Sequence, residues 1–407
     1  MIIFLLILTF FLSNYIIKIS DNRDSYFFKL PLLITTPPLF GLIYSSFLLK
    51  LNLLSNQVTD VFNPILNEIS IIYIKSLLCF SLINLLLRRN LPPLVFPKNL
   101  KFPSISTLLI IYLSFSLIEF IASQLKFSIH LMILFGELSN ISLILLLSSL
   151  IISLKINKSF YRFTLISVIT ITFFFIFTFD KGFSISLMSG IFLILLATNN
   201  LKIKLNIFKT NLLIMSGGIL LPVLNFIEGY FFGWNKENVF NSLGEVMESH
   251  SFQNYFHIFY NPNCSYKNTI SIFDSLISPF KAILGMKVSF HHDLFMETCF
   301  PIEKANGGMK AFGLIVESVL SNELPSFLFF SIATISFILI IEFLYSRFSL
   351  FGLLIYSQSI ELVYKLTRND LSSSIYFLLY VIIASFIVSQ TLLILDSYLP
   401  SKKNLLN

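Results

Sequence analysis

Two polar segments in an otherwise apolar chain carry the residue types of acid–base and anion chemistry. Gln358, Glu361, Lys365 and Arg368 are spaced three, four and three apart, which puts them on one face of a helix. Ionisable side chains are expensive in lipid, so such a face turns towards a protein interior or a wet cavity. The face ends at Arg368-Asn369-Asp370, and Asp370-Leu371-Ser372-Ser373-Ser374 then supplies good capping residues for a last helix. A guanidinium beside a helix N-terminus suits a phosphate or pyrophosphate, with Lys365 assisting and Glu361 on the same face. The bland alternative is an arginine snorkelling at a helix end.

The second segment is the one long polar loop, 233–325. Ser289-Phe290-His291-His292-Asp293 has the chemistry of general bases. A His-His-Asp run does not set three ligands on one side of a regular element, so no metal is expected. Gly307-Gly308 permits close approach of backbone to a ligand. A helical pattern follows: Phe312, Val316 and Val319 share one face, while Lys310, Gly313, Glu317 and Ser321 share another. Glu317 projects from the middle of that second face, which is either a substrate face or the solvated side of an interfacial helix. The loop is also rich in aromatics, Trp234, Tyr255 and Phe256 among them, which fit an interfacial belt or a platform for sugar rings.

The elements that must position these residues follow from composition. Apolar residues make up 56% of the 407 and charged residues 12%. Mean hydropathy is +0.84. Only helices or closed barrels satisfy the backbone in lipid, and the apolar runs are helix-length. The expected fold is therefore all-α, a polytopic membrane bundle of about eleven spans: 1–18, 31–49, 69–87, 105–123, 132–154, 160–178, 182–198, 211–232, 326–344, 349–366 and 374–395. The run 127–154 contains Gly136-Glu137-Leu138-Ser139-Asn140 and reads as one tilted helix or a half-helix and a full one. The organisation is eight spans over 1–232, the large outer loop 233–325, and three spans with a short tail over 326–407. No internal repeat suggests a secondary transporter.

The net charge of +7 does not indicate nucleic acid, because the cations form no basic block with interleaved aromatics. They report topology instead. With the long loop outside, Lys18, Arg23, Lys29, Arg88, Arg89, Lys98, Lys101, Lys155, Lys158, Arg162, Lys202, Lys204, Lys209, Arg347, Lys402 and Lys403 fall inside. Only Lys50, Lys126, Lys181, Lys365 and Arg368 fall on short outer segments. This asymmetry favours an outer N-terminus and a cytoplasmic C-terminus. Cys79 lies in a span. Cys264 and Cys299 both lie in the loop and can pair if it faces an oxidising space. Lys75, Glu119, Glu137, Glu228 and Glu342 are further ionisable groups within apolar runs, each able to pair across the bundle.

Gly307-Gly308-Met309-Lys310-Ala311-Phe312-Gly313-Leu314-Ile315-Val316-Glu317 resembles the glycine-rich start and glutamate-bearing helix of the oligosaccharide repeat-unit (O-antigen) polymerase family. Arg368-Asn369-Asp370 is similar to the Arg-Gly-Asp-like residues before that family's last helix. Span number, late large loop and three closing helices agree. The chain departs at Val319, Ser321 and Glu323, where the family tends to have tyrosine, asparagine and glycine. The resemblance implies transfer of a growing glycan from polyprenyl pyrophosphate to a lipid-linked repeat unit. The reaction would occur on the outer face of a bacterial inner membrane, without a cofactor and with a separate chain-length regulator as partner. Arg368, with Lys365, would hold the departing pyrophosphate. Glu317 or His291, then His292 and Asp293, would take the acceptor proton. The competing readings are a ligase moving finished glycan onto lipid A core, a flippase for the lipid-linked oligosaccharide, and a non-catalytic scaffold.

Overall fold

The computed structural model describes residues 2–20, 56–90, 103–153, 181–198, 258–259, 264, 266, 270–288, 290–305, 312–321, 323–347 and 349–398. Among these the fold is all-helical, without a strand. The helices are α1 (Ile2–Ser20), α2 (Asn56–Asn90), α3 (Ile105–Gln124), α4 (Ile129–Ser153), α5 (Lys181–Ala197), α6 (Ile272–Ile283), α7 (His291–Cys299), α8 (Pro301–Ala305), α9 (Leu314–Leu320), α10 (Ser326–Arg347), α11 (Ser349–Ser357), α12 (Ser359–Arg368) and α13 (Leu371–Tyr398).

Five described helices are long and apolar enough to cross a membrane, over Asn67–Leu87, Ile105–Gln124, Ile129–Ser153, Ser326–Tyr345 and Leu371–Leu395. Shorter apolar helices occupy Phe4–Ser13 and Ser186–Ala197. The expected spans 31–49, 160–178 and 211–232 lie outside the described residues. The run 127–154 is settled as one helix, α4, entered through a turn at Leu125–Lys126. One expectation is corrected. The run 349–366 is not one continuous helix, because it breaks at Gln358 into α11 and α12.

The chain divides into two compact units. The first comprises 1–93, 205–338 and 363–376. In it α1 packs on α2. Helix α2 meets α10 through Tyr73 and Phe330, whose ring centroids are 6.0 Å apart, and through Ser331, whose hydroxyl donates to the Ser76 carbonyl at 3.3 Å. The second comprises 94–204, 339–362 and 377–407. There α3 and α4 form a hairpin joined by a Ser116–Ser139 hydroxyl pair at 3.0 Å. Helix α5 approaches α4 at Gly190, where a Cβ would stand 2.8 Å from Ile144 Cδ1, so a small residue permits the contact. Asn140 donates to the Ser186 hydroxyl at 3.1 Å, and Ser186 donates to Gln358 Oε1 at 3.0 Å, threading a polar line to the break before α12.

Three helix hydroxyls show a local solution. Ser81, Ser114 and Thr198 donate to the carbonyls of Leu77, Ile110 and Ile194 four residues back, so these hydroxyls are not left bare in lipid. Along α3 Leu109, Leu113, Leu117 and Phe120 are exposed, as a lipid-facing helix requires.

Candidate acid–base site

The polar loop and the start of the last helix meet in the first unit, and a proline explains part of how. Pro279 lies inside α6 and has no N–H, so the Ser275 carbonyl loses its helical partner. The Ser372 hydroxyl, in the first turn of α13, donates to that carbonyl at 3.1 Å. Ser275 in turn donates from its hydroxyl to Glu317 Oε1 at 2.8 Å. One serine thereby ties α6 to both α9 and α13.

Glu317 is completely buried on the short helix α9. Gly313, just before that helix, has φ +85°, a conformation that favours glycine. The helix is buried along Leu314–Ser318, so the solvated-face alternative for Glu317 does not hold. Glu317 Oε2 accepts the backbone N–H of Leu371, the first residue of α13, at 2.6 Å.

Asp370, also completely buried, caps two helices at once. Its Oδ1 accepts the Ser373 N–H at 2.7 Å, closing the N-terminus of α13. Its Oδ2 accepts the His292 N–H at 3.0 Å, in the first turn of α7. Both helix dipoles favour the negative charge there. The His292 ring stands over the same carboxylate, with Nδ1 3.4 Å from Oδ2 and 2.9 Å from the Ser373 hydroxyl. Its other nitrogen, Nε2, lies 3.6 Å from Asp293 Oδ1 at the more exposed edge. Lys304 closes that edge, 2.7 Å from Glu297 and 3.5 Å from Asp293.

His291 has a partner of its own. Its Nδ1 lies 3.1 Å from the Tyr266 hydroxyl. Tyr266 packs edge-on against Phe295 and Phe312. Two residues before it, Cys264 forms a disulfide with Cys299 at the end of α7, so the loop cysteines do pair.

These surroundings pull like groups apart. Burial pushes the Glu317 carboxyl up, and the nearby Asp370 charge adds to this, reaching about 8 against the opposing bonds from Leu371 and Ser275. A neutral carboxyl still fits, because the Ser275 hydroxyl can reverse and accept. Burial would raise Asp370 too, but the hydrogen bond and charge of His292, with the Ser373 bonds, hold it below the usual carboxylate range. Burial pulls His292 down, yet the hydrogen bond and charge of Asp370, joined by Asp293, outweigh it and raise the imidazole. Burial dominates at His291 and lowers it despite Asp370 and Asp274. Burial, with the Asp370 and Glu317 charges, drives the Tyr266 phenol well above its ordinary range, so it stays neutral. The result is a charged Asp370 beside a Glu317 carboxyl raised to about 8, with His292 shifted above and His291 below the ordinary imidazole value and a neutral Tyr266. Groups split in this way are those able to exchange protons near neutral pH.

Of the residues singled out by sequence, the structure brings Glu317, His291, His292 and Asp293 into one cluster. Lys365 is half-buried on α12, and its carbonyl accepts the Ser374 hydroxyl at 3.2 Å. Arg368 ends α12, but its side chain lies outside the described residues, as do Gly307, Gly308 and Lys310. Glu361 is buried and belongs to the second unit. At the start of α13, two of the amides open to an anion are already taken by Glu317 and Asp370. Sequence reasoning placed Asp370 in a cap and in the Arg368-Asn369-Asp370 motif without an acid–base role, and overlooked Ser275 and Tyr266. Pro279 four residues after Ser275 was the one legible signal. Among the described residues no group of His, Cys, Asp or Glu forms a metal cluster.

Compared with protein-family models, with curated proteins and with solved structures, the chain matches none.

Proposed function

We propose that this chain is a membrane glycosyltransferase that moves a growing glycan from polyprenyl pyrophosphate to a lipid-linked repeat unit. The proposal includes the finer topology: about eleven spans in a bacterial inner membrane, with the long loop and N-terminus outside and the C-terminus in the cytoplasm. The observation that carries it is the Leu371 N–H to Glu317 Oε2 hydrogen bond. Glu317, at the end of one segment that resembles the polymerase family, thereby contacts Leu371, the residue that follows the other segment, Arg368-Asn369-Asp370, and the two residues lie 54 apart in sequence. The acid–base groups of His292 and Asp370 stand beside that contact, at the end of an apolar span.

In this reading His292 takes the proton of the acceptor hydroxyl on Nε2, while Asp370 holds the ring and stabilises the imidazolium. The acceptor oxygen forms the new glycosidic bond as the bond from the sugar to pyrophosphate breaks. The leaving pyrophosphate gains charge and needs cations. Lys365 and Arg368 supply them from side chains, since carboxylates hold two of the first amides of α13. Glu317 is then a positioning residue, fully buried with both oxygens engaged.

The test is a surface-glycan ladder from a deletion strain carrying wild type, His292→Ala or Arg368→Ala at equal membrane abundance. Collapse to single-repeat bands in the deletion, repaired by wild type alone, is the expected result. Loss of every glycan band would favour a ligase or flippase. An unchanged ladder would remove the proposal.

A further inference from the structure

Helix α6 presents two unlike faces. Ser275, Pro279 and Ala282, spaced four and three apart, are buried, and Ser275 carries the bonds to Glu317 and Ser372. On the other side Phe273, Leu276, Phe280 and the capping Leu284, spaced three, four and four apart, are 67%, 42%, 52% and 73% exposed. Met286 and Ile302 are exposed as well. An apolar stripe of this kind, left open on a protein surface, marks a contact with something apolar.

The depth of the helix identifies what that is. Ser372, whose hydroxyl holds the Ser275 carbonyl, lies in the first turn of the apolar span Leu371–Leu395. The inner face of α6 is therefore fastened at the level where a membrane span begins, which is where acyl chains give way to headgroups. The exposed Lys281 and Lys287 lie beside the stripe, able to reach lipid phosphates, with Asp274 as the acid on the same helix.

We infer that α6 is an interfacial helix seated in the bilayer leaflet, its Phe273–Leu276–Phe280–Leu284 face in the acyl–headgroup boundary and its Ser275 face holding the acid–base cluster. An interfacial helix of this type sinks about 5–10 Å into that boundary. The cluster then hangs at headgroup level, and a substrate anchored in the same leaflet reaches it by lateral diffusion. The inference rests on the membrane placement of the apolar helices and is independent of the glycan chemistry.

The full chain offers a clean optical test, because Trp234 is its single tryptophan. Phe280→Trp and Leu276→Trp are each made in a Trp234→Phe background and reconstituted into phosphatidylcholine–phosphatidylglycerol vesicles, with and without acyl-brominated lipid. Glu297→Trp serves as the water-facing control. The intact Cys264–Cys299 disulfide, read by mass, certifies folding of each variant. The expected outcome is a blue-shifted emission at 276 and 280, mostly lost with brominated lipid and little affected by acrylamide, with the reverse at 297. Quenching at 276 and 280 by acrylamide alone would put the stripe in water and overturn the inference. Quenching by neither agent would put it under protein, a second copy included, and overturn it equally.

Discussion

The Ser372 hydroxyl takes the one carbonyl that Pro279 leaves without its helical partner, that of Ser275, at 3.1 Å. A proline in α6 thus creates the acceptor that a serine from the last helix fills. The energetic logic is that of an unmade bond: a buried carbonyl without a donor costs more than a made bond contributes.

That relationship makes a double-mutant prediction. Ser372→Ala in the native chain should destabilise by about 1–3 kcal/mol, the range for a buried group left unpaired. In a Pro279→Ala background the restored N–H serves the Ser275 carbonyl, so Ser372→Ala should cost much less. Thermal unfolding in detergent of the four proteins measures the coupling. Equal costs in both backgrounds would mean that the hydroxyl does not act through this carbonyl.

Glu317 separates shape from charge. In Glu317→Gln the amide oxygen can accept the Leu371 N–H and the NH2 can donate to Ser275, so both neighbours stay satisfied. In Glu317→Ala both are stranded, and the loss should exceed that of the Gln variant by about 2 kcal/mol or more. The comparison is a melting temperature in one detergent.

The same residue sets a pH dependence. The folded Glu317 value is raised from 4.5 to about 8, so the stability it contributes is complete below 4.5 and is lost as pH rises through about 8. His292 acts in the same direction, its contribution present below 6.5 and lost as pH rises through its raised folded value. Asp370 acts oppositely, contributing above 3.8 and failing only as pH falls through its depressed value. Melting temperature should therefore fall between roughly pH 5 and pH 8, and Glu317→Gln should flatten that fall.

Asp370→Asn tests the pair with His292. The amide keeps the shape but removes the charge that holds the imidazole up, leaving burial to lower it. The His292 titration, followed by NMR with selectively labelled histidine, should move down. If turnover is measurable, the acid limb of its pH profile should move with it. A His292 value that stays put would break the proposed coupling.

The disulfide gives a last prediction. Alkylation of the denatured, unreduced chain should modify Cys79 alone. Replacing Cys264 and Cys299 by serine reopens a segment with a sequence separation of 35. By loop-closure entropy this should cost roughly 3–4 kcal/mol. Melting of the double variant against the native chain reads it.

Much of this was written in the sequence. Lipid forbids unpaired backbone, so apolar runs of about twenty residues announce helices, and α3, α4, α10 and α13 lie within a few residues of their expected bounds. The capping pattern Asp370-Leu371-Ser372-Ser373-Ser374 announced the neighbourhood in which α13 starts, because capping is local. The broken helix at Gln358 escaped, since the 349–366 run is apolar enough to read as continuous and the polar line through Asn140, Ser186 and Gln358 is visible only in three dimensions. The site divides in the same way. Residue type marked Glu317, His291, His292 and Asp293 as chemically able. Only the tertiary structure decided that two buried carboxylates would hold the start of the last helix, and that neighbouring histidines would be shifted in opposite directions. Those outcomes depend on burial and on charges far apart in sequence, and neither is a property of local spacing.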